Sequence, residues 1–215
     1  MFRLAVTTEA ETFDRLRDPL AARGIEVGHL PADARTIRLD SPPTDSFDVG
    51  FVFPSRTPAG TALSALHDLS WVNDREAVLT SRNKGGVVAT LGAAGLPVPR
   101  TTMVSNPVDE NELAAAVDDF EWPVVIKPNS TTRGTGVAKA TDLDSLLGIA
   151  DYLDLVHDYR ATGDKTYLLQ EYLPDARDYR VMVVDGEYAG AVERELSPED
   201  RAAGRWKHNV HRGAE

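Results

Sequence analysis

Apolar positions fall along the chain in short blocks separated by polar joints rich in glycine and proline. Phe2 to Val6 reads as a buried strand, after which Phe13, Leu16, Leu20 and Ala21 recur at helical spacing until Arg23-Gly24 closes the helix. Ile25 to Leu30 and Asp48 to Phe53 are two further strands, the second ending at Pro54. Strand, helix and strand in such close succession predict a βαβ unit, hence a parallel sheet with a right-handed crossover. Helical segments follow from about Gly60 to Leu69 and on through Leu79, with Trp71-Val72-Asn73 between them. Asn83-Lys84 opens another helical run, Val87 to Ala94, stopped by Gly95 and Pro97-Val98-Pro99. Val108 to Phe120 predicts an acidic amphipathic helix with Leu113, Ala116, Val117 and Phe120 on its inner face.

The second half is richer in strands. Val124 to Lys127 is an apolar strand carrying a charge at its end, Asn129 to Gly136 is a polar loop, and Val137 to Ala140 resumes a strand. Leu143 to Tyr159 predicts a helix, and Tyr167 to Leu173 a strand ending at Pro174. Tyr179 to Val184 and Tyr188 to Val192 flank Asp185-Gly186, which predicts a hairpin. From Glu195 to Glu215 the chain is polar with few apolar anchors. The pattern as a whole is α/β (α+β), in three parts: an α/β part over 1–72, a middle part over 73–169 and a third over 170–215.

Composition narrows the function classes. The 215 residues include no Cys, so disulfides and thiolate chemistry are excluded. No signal-type apolar run follows Met1, and no stretch is apolar enough to span a bilayer, so a cytoplasmic protein without a membrane partner is expected. Asp and Glu number 34 against 23 Lys and Arg, a formal charge of −11, which argues against nucleic acid as a partner. Only five residues are Lys: Lys84, Lys127, Lys139, Lys165 and Lys207. Acid-rich, Lys-poor composition suits either a halophilic source or an ordinary acidic cytosolic protein. Where Lys is scarce, those beside glycines or at strand ends become candidate ligand contacts.

The candidate chemistry centres on Pro123-Val124-Val125-Ile126-Lys127-Pro128 and the following Ser130-Thr131-Thr132-Arg133-Gly134-Thr135-Gly136-Val137. A strand-end ammonium calls for an anion or a carboxylate, or else it snorkels to water beside a plain turn. A glycine loop lets backbone N–H groups approach phosphoryl oxygens closely. The order excludes better-known motifs: no G-x-G-x-x-G follows the first strand, no Gly-Lys-Ser/Thr ends the loop, and Lys127 precedes the glycines instead of following them.

Six pieces in order resemble the ATP-grasp superfamily, and within it the RimK-type amino-acid ligases. They are Asn73 with Asn83-Lys84, the PVVIKP strand, the RGTGV loop, Gln170-Glu171-Tyr172-Leu173, Asp178-Tyr179-Arg180, and Asn209-Val210-His211-Arg212-Gly213. The resemblance covers about Asn73 to the last residue. It implies an ATP-grasp fold with an N-terminal Rossmann-like (pre-ATP-grasp) domain over 1–72, a central subdomain over 73–169 and an incomplete C-terminal subdomain from 170.

The resemblance implies that Lys84 and Lys127 neutralise phosphates of ATP and that Ser130, Thr132, Arg133, Gly134, Thr135 and Gly136 fold over them as a flap. Gln170, Glu171 and Tyr172 would line the adenine, Asp178 the ribose, and Lys207 and Asn209 the phosphate and its metal-bound oxygens. Arg180 and Arg212 would clamp the transferring phosphoryl group. Two departures stand out. Asn83 replaces the Asp common before the first lysine, and Arg133 replaces a smaller polar residue, either reaching the γ-phosphate or facing solvent. Glu171 and Asp178 also read as hairpin carboxylates, Trp206 as a packing anchor, and His208 with His211 as solvated tail residues, His211 orienting Arg212. Relatives continue into a segment whose Asp and Glu-x-Asn hold two Mg²⁺ ions. No metal ligand is therefore assigned within 1–215, and these residues by themselves are expected to be ligase-inactive. The implied activity is ATP-dependent carboxylate–amine ligation through an acyl phosphate, adding an amino acid such as glutamate to a small-molecule or peptide substrate, in a protein that can be oligomeric. Open alternatives are a carrier-protein ligase of lysine biosynthesis, a glutathione synthetase-like or D-alanine–D-alanine ligase, and a non-catalytic ATP-binding module. The N-x-H-R-G element tilts against the glutathione synthetase-like and D-alanine–D-alanine ligase alternatives.

Overall fold

A computed structural model describes residues 1–41, 43–132, 134–156 and 165–208. The backbone gathers into two compact units, Met1–Ser81 and Arg82–Glu215. The expected Arg133, Asn209 and Arg212 contacts, and His211, lie outside the described residues. Among those described, no helix is long and apolar enough to cross a membrane.

In the first unit β1 (Phe2–Val6), β2 (Ile25–His29), β3 (Val49–Phe51) and β4 (Trp71–Val72) form a sheet in the order β2-β1-β3-β4, every pair parallel. A π-helical turn (Glu9–Phe13) and α1 (Asp14–Ala21) make the expected crossover between β1 and β2. α2 (Thr57–His67) precedes β4, a strand that two residues were too few to announce in the sequence. Ala5, Leu30, Phe53, Leu63, Leu69 and Trp71 form this unit's core.

The second unit is built on an antiparallel sheet of β5 (Thr101–Ser105), β6 (Val124–Pro128), β7 (Ala138–Ala140) and β8 (Thr166–Glu171), in the order β5-β8-β6-β7. Its helices include α4 (Lys84–Ala93), α5 (Glu110–Ala115) and α6 (Leu143–Val156), with α3 (Arg75–Arg82) preceding them in the chain. On α6, Leu146, Ala150 and Leu153 make one stripe, and they pack with Leu113, Phe120, Val124, Ile126, Tyr167 and Leu169 into the core. That core covers one face of the sheet. Val125, on the other face, is also buried, which explains why β6 reads as a continuous apolar run instead of an alternating one.

Several elements differ from the pattern expected. α5 ends at Ala115 instead of continuing to Phe120, and its start is fixed by Asp109, whose carboxylate accepts from the N–H groups of Asn111 and Glu112. β5 gave little signal, because Thr101 and Thr102 are polar and Met103 is exposed. The polar tail contains a short helix, α7 (Pro198–Ala202), capped by Ser197 and following the buried Leu196. The hairpin of β9 (Asp178–Val184) and β10 (Glu187–Arg194) forms a sheet of its own. Val181, Met182, Val183, Val184 and Tyr188 on it are exposed.

Candidate active site

The face of the second unit's sheet opposite that core gathers the candidate site. Side chains on antiparallel partners point to the same side, so the registers Lys127↔Leu168 and Val125↔Gln170, with Val125↔Lys139, place Lys127, Gln170 and Lys139 on that face. Lys127 Nζ donates to Gln170 Oε1 at 2.7 Å, Gln170 Nε2 donates to Thr101 Oγ1 at 2.7 Å, and Thr101 Oγ1 donates to the carbonyl of Pro99. This relay fixes which end of the Gln170 amide faces the ammonium. Burial disfavours the charged form of Lys127 and holds its pKa below the ordinary lysine value.

The N-terminus of α4 meets the end of β6. Asn83 caps the helix, its side chain accepting from the Gly86 N–H at 2.9 Å. Lys84, the first helical residue, donates from Nζ to the carbonyls of Pro128 at 3.1 Å, Asn129 at 2.7 Å and Thr131 at 2.5 Å. Three N–H donors meeting three carbonyls anchor the ammonium to the base of the loop. A Cβ at Gly85 would lie 2.9 Å from Met103 Sδ and 3.3 Å from Leu168 Cδ2, so glycine lets this helix end seat closely against β5 and β8 without shifting the Met103 side chain.

The loop itself is tightly turned. Thr131 Oγ1 donates to the Thr135 carbonyl, the Thr135 N–H to the Thr132 carbonyl, and the Val137 N–H to the Gly134 carbonyl. Gly134 and Gly136 have φ of +69° and +73°, in the left-handed region that other residues rarely enter. The hydroxyl of Ser130 is buried and, among the described residues, has no hydrogen-bond partner. An orphaned buried hydroxyl beside two lysines fits an anionic ligand oxygen.

At the far end of the loop, Lys207 Nζ donates to the Val137 carbonyl and lies 5.5 Å from the Trp206 ring centroid. Tyr172 and Trp206 pack edge to face at 5.8 Å, with Lys139 Nζ 4.4 Å from the first ring and 5.4 Å from the second. Four of the chain's five lysines, Lys84, Lys127, Lys139 and Lys207, therefore lie in or bond to the single segment 127–139.

Other expected residues are engaged elsewhere. The N–H of Glu171 donates to the Arg100 carbonyl, and its Oε1 accepts from the Arg100 N–H at 2.8 Å. Asp178 is paired with Arg194, whose Nη2 donates to both carboxylate oxygens at 2.7 and 2.6 Å. Arg180 is exposed on the same hairpin, opposite Val192. Thr132 and Thr135 are exposed on the loop. Among the described residues no group of three or more His, Cys, Asp or Glu is gathered to hold a metal ion.

Sequence reasoning passed over Asn129, Lys139 and Thr101. Lysine scarcity and the place of Lys139 just after Gly136 were a usable signal for it; Asn129 and Thr101 carried none, since their partners are distant in the chain.

Comparison with known proteins finds relatives described as ligases. A probable alpha-L-glutamate ligase 1 of Pseudoalteromonas atlantica is 28% identical over 216 residues, covering 93% of this chain and 67% of that protein. Of probable alpha-L-glutamate ligases from Shewanella halifaxensis and an Enterobacter species, the chain spans 33% and 43%. The crystal structure of a RimK domain ATP-grasp protein from Sphaerobacter thermophilus superposes with a TM-score of 0.67 at 24% identity, over 91% of this chain and 74% of that one. The ATP-grasp ligase PsnB, solved with a phosphomimetic variant of its minimal precursor, Mg and ADP, superposes with a TM-score of 0.59 at 16% identity, over 94% and 80%. Residues 81–215 match the RimK-like ATP-grasp domain, and the chain belongs to that family.

Proposed function

We propose that the segment 127–139 and the lysines around it hold the triphosphate of ATP, in an enzyme that joins a carboxylate to an amine. The observation that carries this reading is the concentration of four of five lysines on one glycine loop in a chain of net charge −11. An acidic protein repels a polyanion everywhere except where it has built a local excess of positive charge.

In this reading the ammonium groups of Lys84, Lys127 and Lys207 draw phosphate oxygens to the loop, and Ser130 donates its unpartnered hydroxyl. The loop, including Thr132, Arg133, Gly134, Thr135 and Gly136, closes over the β- and γ-phosphates and excludes water. The strand end at Gln170, Glu171 and Tyr172 lines the base, with the Glu171 N–H already committed to Arg100 and Tyr172 offering a ring. Asp178 receives the ribose hydroxyls, Asn209 contacts the phosphate with Lys207, and Arg180 and Arg212 clamp the transferring phosphoryl group. A substrate carboxylate oxygen attacks the γ-phosphorus and ADP leaves, giving an acyl phosphate. The amine then attacks the acyl carbon, loses a proton and expels phosphate. The protein's part is positioning and charge neutralisation. Mg²⁺, if bound, would supply further neutralisation of phosphate charge. The described residues do not fit such an ion, lacking a ligand group, so the roles above belong to side chains alone.

Glutamate is the amino acid favoured for the amine, because curated relatives are described as probable alpha-L-glutamate ligases. The division at 72/73 and 169/170 is proposed as the functional one. The test is ADP and phosphate release by the gene product, with glutamate as amine and a panel of carboxylates. Release that requires both substrates supports the reading, and none with any pair refutes it. Residues 1–215 by themselves are expected to form no amide; ATP-dependent amide formation by them would overturn that.

A further inference from the structure

Asn129 is the one buried polar residue among the described residues, 6% exposed. Burying an amide is costly unless each of its groups is hydrogen-bonded, and here each is. Its Oδ1 accepts from the Gly85 N–H at 2.8 Å and its Nδ2 donates to Asn83 Oδ1 at 3.1 Å. Its N–H donates to the Thr166 carbonyl at 3.1 Å, and its carbonyl accepts from Lys84 Nζ at 2.7 Å. One residue thus ties together the end of β6, the start of β8 and the first turn of α4, and helps seat the ammonium of Lys84. The same Asn83 oxygen that receives Nδ2 also caps Gly86, so the helix end and the loop base are held in one connected network.

We propose that Asn129 is a positioning residue for the triphosphate: it acts through Lys84, fixing that ammonium and the base of the glycine loop where the phosphates bind. This rests on the reading that the loop holds ATP. A residue that merely stabilised the fold would affect all parts of the nucleotide alike. One that acts through Lys84 affects the phosphates and spares adenosine.

The experiment compares ATP and adenosine binding to the chain by calorimetry, in wild type, Asn129→Ser, Asn129→Asp, Lys84→Met and Lys84→Met/Asn129→Ser. Asn129→Asp keeps the acceptor for the Gly85 N–H while losing the donor to Asn83, and so tests the role with the helix cap in place. The expected result for both Asn129 single variants is a loss of ATP affinity of about tenfold or more, with adenosine changed less than about twofold. In the Lys84→Met background the loss from Asn129→Ser should largely disappear, as expected for residues acting as a unit. Equal losses for ATP and adenosine, unchanged ATP affinity, or full additivity with Lys84→Met would overturn this role alone. Wild-type protein that binds ATP no tighter than adenosine would overturn the triphosphate reading and this role with it.

Discussion

Replacing Lys84 by methionine removes the ammonium and keeps an apolar stem of similar length. Three donors to the carbonyls of Pro128, Asn129 and Thr131 are lost. Hydrogen bonds to a charged group are worth about 1.5–3 kcal/mol each, but that sum overstates the effect. Methionine escapes the cost of desolvating a charge, and the Asn129 carbonyl still receives the Lys84 main-chain N–H at 3.5 Å. Water reaches the partly buried Thr131, whereas Pro128 and Asn129 are buried. One or two poorly satisfied buried carbonyls, at roughly 1–3 kcal/mol each, give a net loss of about 2–4 kcal/mol. For a unit of this size that lowers the melting temperature by roughly 7–14 °C. Thermal unfolding by circular dichroism reads the loss globally, and hydrogen exchange at the Gly85 and Asn129 amides reads it locally. Lys84→Arg should recover only part of it, because a planar guanidinium cannot aim three donors at one converging set. A loss below about 0.5 kcal/mol, the range of an ordinary surface change, would refute the anchoring of the ammonium on the loop.

Other consequences test separate parts of the site. Burial lowers the pKa of Lys127 below 10.5, the ordinary lysine value, so its charge is lost earlier on the alkaline side. Between the lowered value and 10.5 the unfolded chain binds more protons, so stability should rise with pH there while ATP affinity falls; affinity that declines only where free lysine titrates would contradict this. Gly136→Ala forces a side chain into φ +73° and sets its Cβ 2.7 Å from Pro128 Cγ, so a loss of about 1–3 kcal/mol and weaker ATP binding are expected in denaturation and titration. An unchanged melting curve would remove the strain argument. Asp178→Asn should weaken ATP about tenfold and 2′,3′-dideoxy-ATP far less, if its carboxylate receives ribose hydroxyls. Equal losses would return Asp178 to a purely structural role in its pair with Arg194.

What was legible in the sequence was local. The run Val124 to Pro128 announced a strand covered on both faces, and the Asp185-Gly186 turn announced its hairpin. Asn83 before Lys84 carried a cap signal, and the order of lysine, loop and Gln170 to Leu173 carried the family. What stayed hidden depends on register and on distant partners. Gln170 meets Lys127 only because β8 pairs with β6 offset by two residues from that contact. Asn129 looked like one more polar loop residue; its burial comes from α4 and β8, more than thirty positions away in either direction. β5 was masked by its own exposure, since a half-covered edge strand with Thr101, Thr102 and an exposed Met103 has no clean alternation. The pairing of Asp178 with Arg194 likewise follows from cross-strand register, and Arg177, just before β9, reaches Glu193 on the neighbouring strand.

Titrating the chain with ATP, in parallel with Lys127→Ala and Lys84→Ala, probes the lysine-ringed loop most directly. Saturable one-to-one binding that either substitution weakens by about tenfold or more is the predicted result. Absence of saturable binding by the wild type, or the same affinity in all three proteins, would contradict it.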